Sequence, residues 1–123
     1  MIYLASPYSH SDPSVREQRF HEACRAAARL MQAGSAVFSP IAQGHPIALH
    51  GLPTDWRFWE TFDREHLVRC DEVFVLTLDG WRDSVGVQAE IRMAVELGKP
   101  VRHLAPEAPW SPTLGPVAKE RRG

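Results

Sequence analysis

The sequence predicts an α/β domain, a small doubly wound parallel sheet of four to five strands in a three-layer αβα arrangement of the flavodoxin-like kind. Three observations carry that expectation. Short apolar runs of strand length alternate with longer segments of helical period, an order that needs crossover connections and therefore parallel strands. The first run, Ile2 to Ala5, is apolar throughout, as a strand covered on both faces is. The length of 123 residues fits one domain with a core large enough to fold without disulfides or metal.

Taken in order, Ile2 to Ala5 is a buried first strand that stops at the breaker group Ser6-Pro7-Tyr8-Ser9. Asp12-Pro13 then supplies an N-cap and a first-turn proline. Phe20, Cys24, Ala27, Leu30 and Met31 recur at helical spacing, and Gly34 closes the helix. Ala36 to Ser39 is the second strand. Pro40 to Pro53 holds three prolines and two glycines, too broken for either period, and reads as an active-site loop or lid. A helix within Thr54 to Cys70, a third strand Glu72 to Leu78, a loop Asp79 to Asp83, a helix within Ser84 to Gly98 and a strand Pro100 to Leu104 follow. Residues 1–104 thus make the α/β domain. Residues 105–123 carry four prolines and a charged end, a tail expected to pack on the surface or on a neighbouring subunit.

Composition removes several function classes. Fourteen Lys plus Arg against 15 Asp plus Glu leave no basic field for a phosphate backbone, so a nucleic acid polymer is not an expected partner. No window approaches the roughly 18 apolar residues of a membrane helix, and Met1 to Ala5 lacks the basic and apolar regions of a signal peptide; a cytoplasmic location is expected. Cys24 and Cys70 lie on separate helices and read as packing residues. The six histidines show no metal-ligand spacing and read as surface or loop groups. Neither metal nor cofactor is expected.

An amphipathic helix should be apolar on its inner face, and two segments break that rule with a carboxylate. At about 100° per residue, Trp56, Trp59, Leu67 and Cys70 share a face with Asp63 among them. In Ser84 to Gly98, Val87, Ile91, Met93, Ala94 and Leu97 form the inner arc, with Glu90 at its centre. Burying an ionised carboxylate costs several kcal/mol (~3 or more) unless it is paired or lines a polar cavity. One such group suggests a structural ion pair, and two on neighbouring helices suggest an active site.

In an open parallel sheet the ligand sits at the carboxyl ends of the strands. There the sequence places Ser6, Pro7 and Tyr8 after strand one, and Trp81, Asp83 and Ser84 after strand three. Ser84 is a helix N-cap, and with Gly86 it opens a helix N-terminus able to receive an anion through backbone N–H groups. Tyr3, Tyr8, Trp81 and the Trp56/Trp59 pair offer aromatic surface to a planar base, with core packing the favoured reading for Trp56 and Trp59 and ligand contact for Trp81. Paired carboxylates facing one pocket suit cleavage at an anomeric carbon, one as nucleophile and one as general acid.

These residues resemble the nucleoside 2-deoxyribosyltransferase-like superfamily, which includes the nucleoside 5′-monophosphate N-glycosidases. Tyr3-Leu4-Ala5-Ser6-Pro7 is similar to its first strand and loop, and Cys70-Asp71-Glu72-Val73-Phe74-Val75-Leu76 to its Ala-Asp-apolar strand. Ser84-x-Gly86-x-x-x-Glu90, followed by Ala94, Gly98, Lys99 and Pro100, resembles its catalytic-helix signature, the most specific of the three. The resemblance spans roughly Ile2 to Val101. It implies that Glu90 is the nucleophile attacking C1′ and that Asp63, eight residues before Asp71, is the acid/base. It also implies a homo-oligomer, a dimer or tetramer, whose neighbouring subunit helps complete the site. The chain departs from the monophosphate hydrolases in its first loop, where Pro7 and Ser9 stand in place of a phosphate-gripping serine and arginine; Arg82, Arg57 or His10 are the substitutes for that charge. Ser84 matches the hydrolases' phosphate-contacting serine, while the transferases carry an aspartate there, which Asp83 supplies if the loop shifts by one residue.

The expected function is therefore cleavage of the N-glycosidic bond of a nucleoside or nucleoside 5′-monophosphate through a covalent glutamyl-glycosyl intermediate, by hydrolysis or transfer. Its carboxyl groups should stand about 5 Å apart, as in retaining glycosidases. Two alternatives stand beside it: a nucleotide-binding or sensing module without catalysis, and structural carboxylates paired with Arg25, Arg64 or Arg92.

Overall fold

The computed structural model describes residues 1–107. Strand β1 (Ile2–Ala5) leads into helix α1 (Pro13–Gln32), strand β2 (Val37–Phe38), helices α2 (Pro40–Ala48) and α3 (Trp56–Leu67), strand β3 (Glu72–Leu76), helix α4 (Val85–Glu96) and strand β4 (Val101–Leu104). A short 3₁₀ turn, Trp81–Asp83, precedes α4.

The four strands are all parallel in the order β2-β1-β3-β4. Tyr3 stands between Phe38 on one side and Val73 on the other. Strand alternation splits the core into two layers. Tyr3, Ala5, Val73 and Val75 face Leu67 of α3 and Val87, Met93 and Ala94 of α4. Leu4 and Leu76 face Ala26 and Ala27 of α1. The result is a small three-layer α/β fold, as the alternation of elements predicts. The chain leaves β1 toward one edge and returns past it to β3, so the crevice at the carboxyl ends of β1 and β3 is the topological switch point.

Local rules account for most boundaries. Asp12 caps α1 by accepting from the Ser14 N–H at 2.9 Å, with Pro13 at the first helical position. Gly34 ends that helix at φ +99°, a left-handed conformation that favours glycine. Ser84 caps α4 through the Val87 N–H at 3.2 Å.

Segment 40–53 is the main correction to the sequence reading. Its first nine residues are helix α2, not loop. Ser39 Oγ accepts from the Ala42 N–H at 3.1 Å, and Pro40 occupies the first turn, where its missing N–H costs nothing. Pro46 lies inside the helix but only two residues from its end. Gly44 accommodates the Trp59 ring of α3, which an added Cβ would meet at 3.4 Å. Capping and packing against α1, β1 and the Trp59 ring thus override the propensities of these breakers.

Smaller departures follow the surface. Met31 is 52% and Leu97 50% exposed, because each sits at or beyond the last turn of its helix and projects past the sheet. Cys70 is buried and Cys24 half-buried. Of the tail, Ala105 accepts from Arg29 Nη2 at 2.8 Å, and Glu107 pairs with Arg25 and Arg29 of α1; residues 108–123 of the expected tail lie outside the described residues.

Candidate active site

Asp63 and Glu90 converge on one pocket. It has a volume of about 570 Å³ and lies at the carboxyl ends of β1 and β3, between the β1 loop, α2, α3 and the start of α4. Asp63 follows Trp59 by one helical turn and Trp56 by two, so all three project from α3 toward the same space, and all line it. Glu90 lies one turn after Gly86 on α4 and also lines it. Asp63 is 7% and Glu90 3% exposed.

Neither carboxylate has an ion-pair partner among the described residues. Arg64 is engaged by Glu60 at 3.2 Å, Arg25 by Glu22 and Glu107, and Arg92 is exposed, so none of the three arginines of the structural-ion-pair alternative pairs with either carboxylate. The partner of Glu90 is Tyr3, whose hydroxyl donates to Oε2. Burial pushes the Asp63 carboxyl up to about 7. Burial also raises Glu90 well above the usual range, opposed by the Tyr3 hydrogen bond and reinforced by the negative charge of Asp63. The Tyr3 phenol is raised in turn by burial and by both carboxylates. Carboxyls so coupled do not readily ionise together. The Tyr3 O–H favours the ionised form of Glu90 and so opposes, without overcoming, the rise that burial imposes.

The other expected contacts divide. Ser6, Tyr8, Asp83, Ser84 and Gly86 line the pocket. Ser6 Oγ is the one buried side-chain polar atom without a hydrogen-bond partner among the described residues, a free group on the wall. Tyr3, Pro7 and Trp81 do not line it. Tyr3 has no exposed surface because its alternation points it into the α3/α4 layer, and it reaches the site only through Glu90. Pro7 is fully buried. Trp81 packs on the core with Arg82 4.9 Å from its ring, and borders a separate open groove with His103. The Arg82 expectation fails with it, whereas Arg57 and His10 line the pocket.

The family model described as "Domain of unknown function (DUF1937)" matches residues 1–105. The chain belongs to the DUF1937 family. No curated protein shows significant similarity to it. The match covers the whole sheet and every pocket element of this DUF1937 chain, so the site belongs to the family domain and not to an appended segment.

Four pocket residues of this DUF1937 domain go beyond the favoured sequence reading. Trp56 and Trp59, favoured as core, line the pocket, and Trp56 also packs against the core; a helical face alone does not tell a core neighbour from an empty space. His45 is 6% exposed, contrary to its reading as a surface group, because the segment that carries it is helical. Arg19 of α1 bridges the two switch-point loops, donating to the Ser9 carbonyl at 3.0 Å and the Asp79 carbonyl at 3.1 Å. Gly80, at φ +91°, makes room for it, since a Cβ there would stand 2.8 Å from Arg19 Nη2. The proximity of Asp63 to Trp56 and Trp59 on one helical face was the available signal for the first two. Among the described residues no three His, Cys, Asp or Glu side chains gather as a metal-binding group, and no helix is long and apolar enough to cross a membrane.

Proposed function

We propose that this pocket cleaves the N-glycosidic bond of a nucleoside or nucleoside 5′-monophosphate. The observation that carries the reading is the pair of buried carboxyls on one pocket with no cation between them among the described residues, one shifted to about 7 and the other held by a phenol. An ion pair of structural purpose has neither property, whereas a nucleophile and a general acid need both. The likeness of the Ser84-to-Glu90 segment to the deoxyribosyltransferase-like signature supports the same roles.

In the first step a Glu90 carboxylate oxygen forms a bond to C1′ as the bond from C1′ to the base nitrogen breaks, and the Asp63 proton passes to the departing base. In the second, ionised Asp63 takes a proton from water or from an acceptor base. That nucleophile forms a bond to C1′, and the ester to Glu90 breaks, restoring both carboxyls. Retention at C1′ follows from the two displacements. Tyr3 acts as a positioning residue, aiming Glu90 and favouring its ionised form against the effect of burial. Trp56 and Trp59 supply stacking walls for the base, and the pocket volume falls within the range of small-molecule sites, about 300 to 1,000 Å³.

The test is chromatographic detection of free base from a panel of ribo- and deoxyribonucleosides and their 5′-monophosphates, with and without an acceptor base. Release by wild type and none by Glu90→Gln is the expected result. Tight binding of panel members with no release by wild type would replace the enzyme with a nucleotide-binding module.

A further inference from the structure

A guanidinium and a hydroxyl join three loops around the mouth of the pocket, and the cleavage step uses neither. Arg19 stands in the second turn of α1, which packs on the Leu4 face of the sheet, while the helices of Asp63 and Glu90 pack on the Tyr3 face. Its side chain therefore passes over the carboxyl ends of the strands to reach the pocket. Nη1 donates to the Ser9 carbonyl of the β1 loop at 3.0 Å, and Nη2 to the Asp79 carbonyl after β3 at 3.1 Å. Ser9 Oγ donates in turn to the Thr54 carbonyl at 2.8 Å, in the stretch 49–55 that leads from α2 into α3. The next carbonyl back, that of Pro53, accepts from Trp59 Nε1 at 2.8 Å. One line of contacts thus runs from Asp79 to the Trp59 wall.

Every link is a side-chain donor on a main-chain carbonyl, so the contacts hold chain segments together rather than pair charges. Arginine suits the central place, because its planar fork sets two N–H groups apart and one side chain can hold two segments at once. Burial pulls the guanidinium below its ordinary value, with the Asp79 charge opposing, and a cation partly removed from water leans on the acceptors it reaches. The stretch 49–55 needs the tie. Its first half is held to α2 by the Leu52 N–H on the Ala48 carbonyl at 3.1 Å, but Leu49 is 71% and Leu52 38% exposed, so apolar packing does little to fix the rest. At the other end Asp79 leads straight into the 3₁₀ turn, where the Asp83 N–H donates to the Gly80 carbonyl at 3.1 Å, and on to the Ser84 cap of α4.

We propose that Arg19 and Ser9 are positioning residues, a clasp in series that sets the distance between the Trp59 wall and the start of α4, and with it the width of the site offered to a ligand. Its effect on turnover rests on the glycosidase reading; the clasp itself does not. Amide hydrogen exchange on the full chain without ligand tests it with no reaction needed. Arg19→Lys keeps the charge but offers one compact ammonium to two carbonyls. It should speed exchange about fivefold or more, the worth of one hydrogen bond, both in 79–84 and in 54–58, and leave β3 unchanged. Ser9→Ala keeps the Arg19 bonds, which use the Ser9 carbonyl, and should speed exchange in 54–58 alone. Faster exchange in only one of the two stretches with Arg19→Lys, or in neither, would overturn the proposal.

Steady-state kinetics on a panel compound from which wild type releases base give the second measurement. Arg19→Lys should raise KM about tenfold and Ser9→Ala several-fold, with kcat within about twofold of wild type and the urea midpoint unmoved. The double variant should lose little beyond Arg19→Lys, because a second break in one series frees nothing more. Losses that multiply would mark two independent contacts, and a fall in kcat at constant KM would place Arg19 in the chemistry; either result overturns the clasp. The two readings fail separately. Exchange as expected with no base released from any panel compound removes the glycosidase and leaves the clasp. Base release with exchange and KM unmoved by both variants does the reverse.

Discussion

At Asp63, burial is the whole cause of a carboxyl pushed up to about 7, and two consequences follow for pH. For activity, the first displacement needs Asp63 protonated, so kcat/KM should fall as pH rises through about 7. Asp63→Asn should lower it by about a hundredfold or more, and a steady-state pH profile of both proteins checks this. For stability, the folded state binds this proton more tightly than the unfolded one. Asp63 therefore contributes stability that is fully present below its ordinary 3.8 and lost as pH rises through about 7. Thermal melts of Asp63→Asn should show a flatter decline over that window than wild type. Glu90, raised in the same direction by burial, predicts a companion result. At pH 8, Glu90→Gln should melt no lower than wild type, since the substitution removes a buried charge and keeps an acceptor for Tyr3. Both carboxyls were legible in the sequence because each violates a helical period. Their partner Tyr3 was visible as an aromatic near a loop but not as the donor to Glu90, since strand β1 and helix α4 meet only through the sheet register.

Among the elements, α2 and the start of α4 carry most of what the sequence conceals. Helix α2 depends on its Ser39 cap and on Trp59 lying over Gly44, and neither is visible in a run rich in proline and glycine. Ser39→Ala should cost about 1 kcal/mol in urea denaturation and fray the helix that carries His45. On α4, Gly86 makes close approach possible, since an added Cβ would stand 3.2 Å from the Trp56 ring. Gly86→Ala should leave stability within about 1 kcal/mol of wild type and raise KM several-fold as Trp56 is pushed into the pocket. The motif spanning Ser84 to Glu90 was plain in the sequence. That its glycine seats a tryptophan from another helix was not, because a pattern records spacing along one chain segment and not what presses on it.

For the molecule as a whole, the parallel three-layer plan followed from alternating elements, but the order of strands did not. Apolar runs do not say which edge β2 takes, and that choice puts the switch point, and hence the pocket, between β1 and β3. The two core layers meet across one sheet, so damage on the α1 side should be felt throughout. Leu4 is fully buried against Ala26 and Ala27. Leu4→Ala should cost about 2 to 5 kcal/mol, with far- and near-ultraviolet circular dichroism following one denaturation curve. Two separated transitions would contradict a single cooperative fold. The short open stretch Ala105 to Glu107 rests on half-exposed pairs with Arg25 and Arg29, and Glu107→Ala should change stability by less than about 1 kcal/mol.

Trp56 and Trp59 stand in the pocket walls, while Trp81 lies outside it. The protein is thereby equipped with its own optical gauge. A base stacked between those walls should quench emission at those two of the chain's four indoles and leave Trp81 as an internal reference. Stopped-flow fluorescence should thus follow arrival of the ligand and departure of the free base as separate phases of one trace, without label or chromophoric substrate.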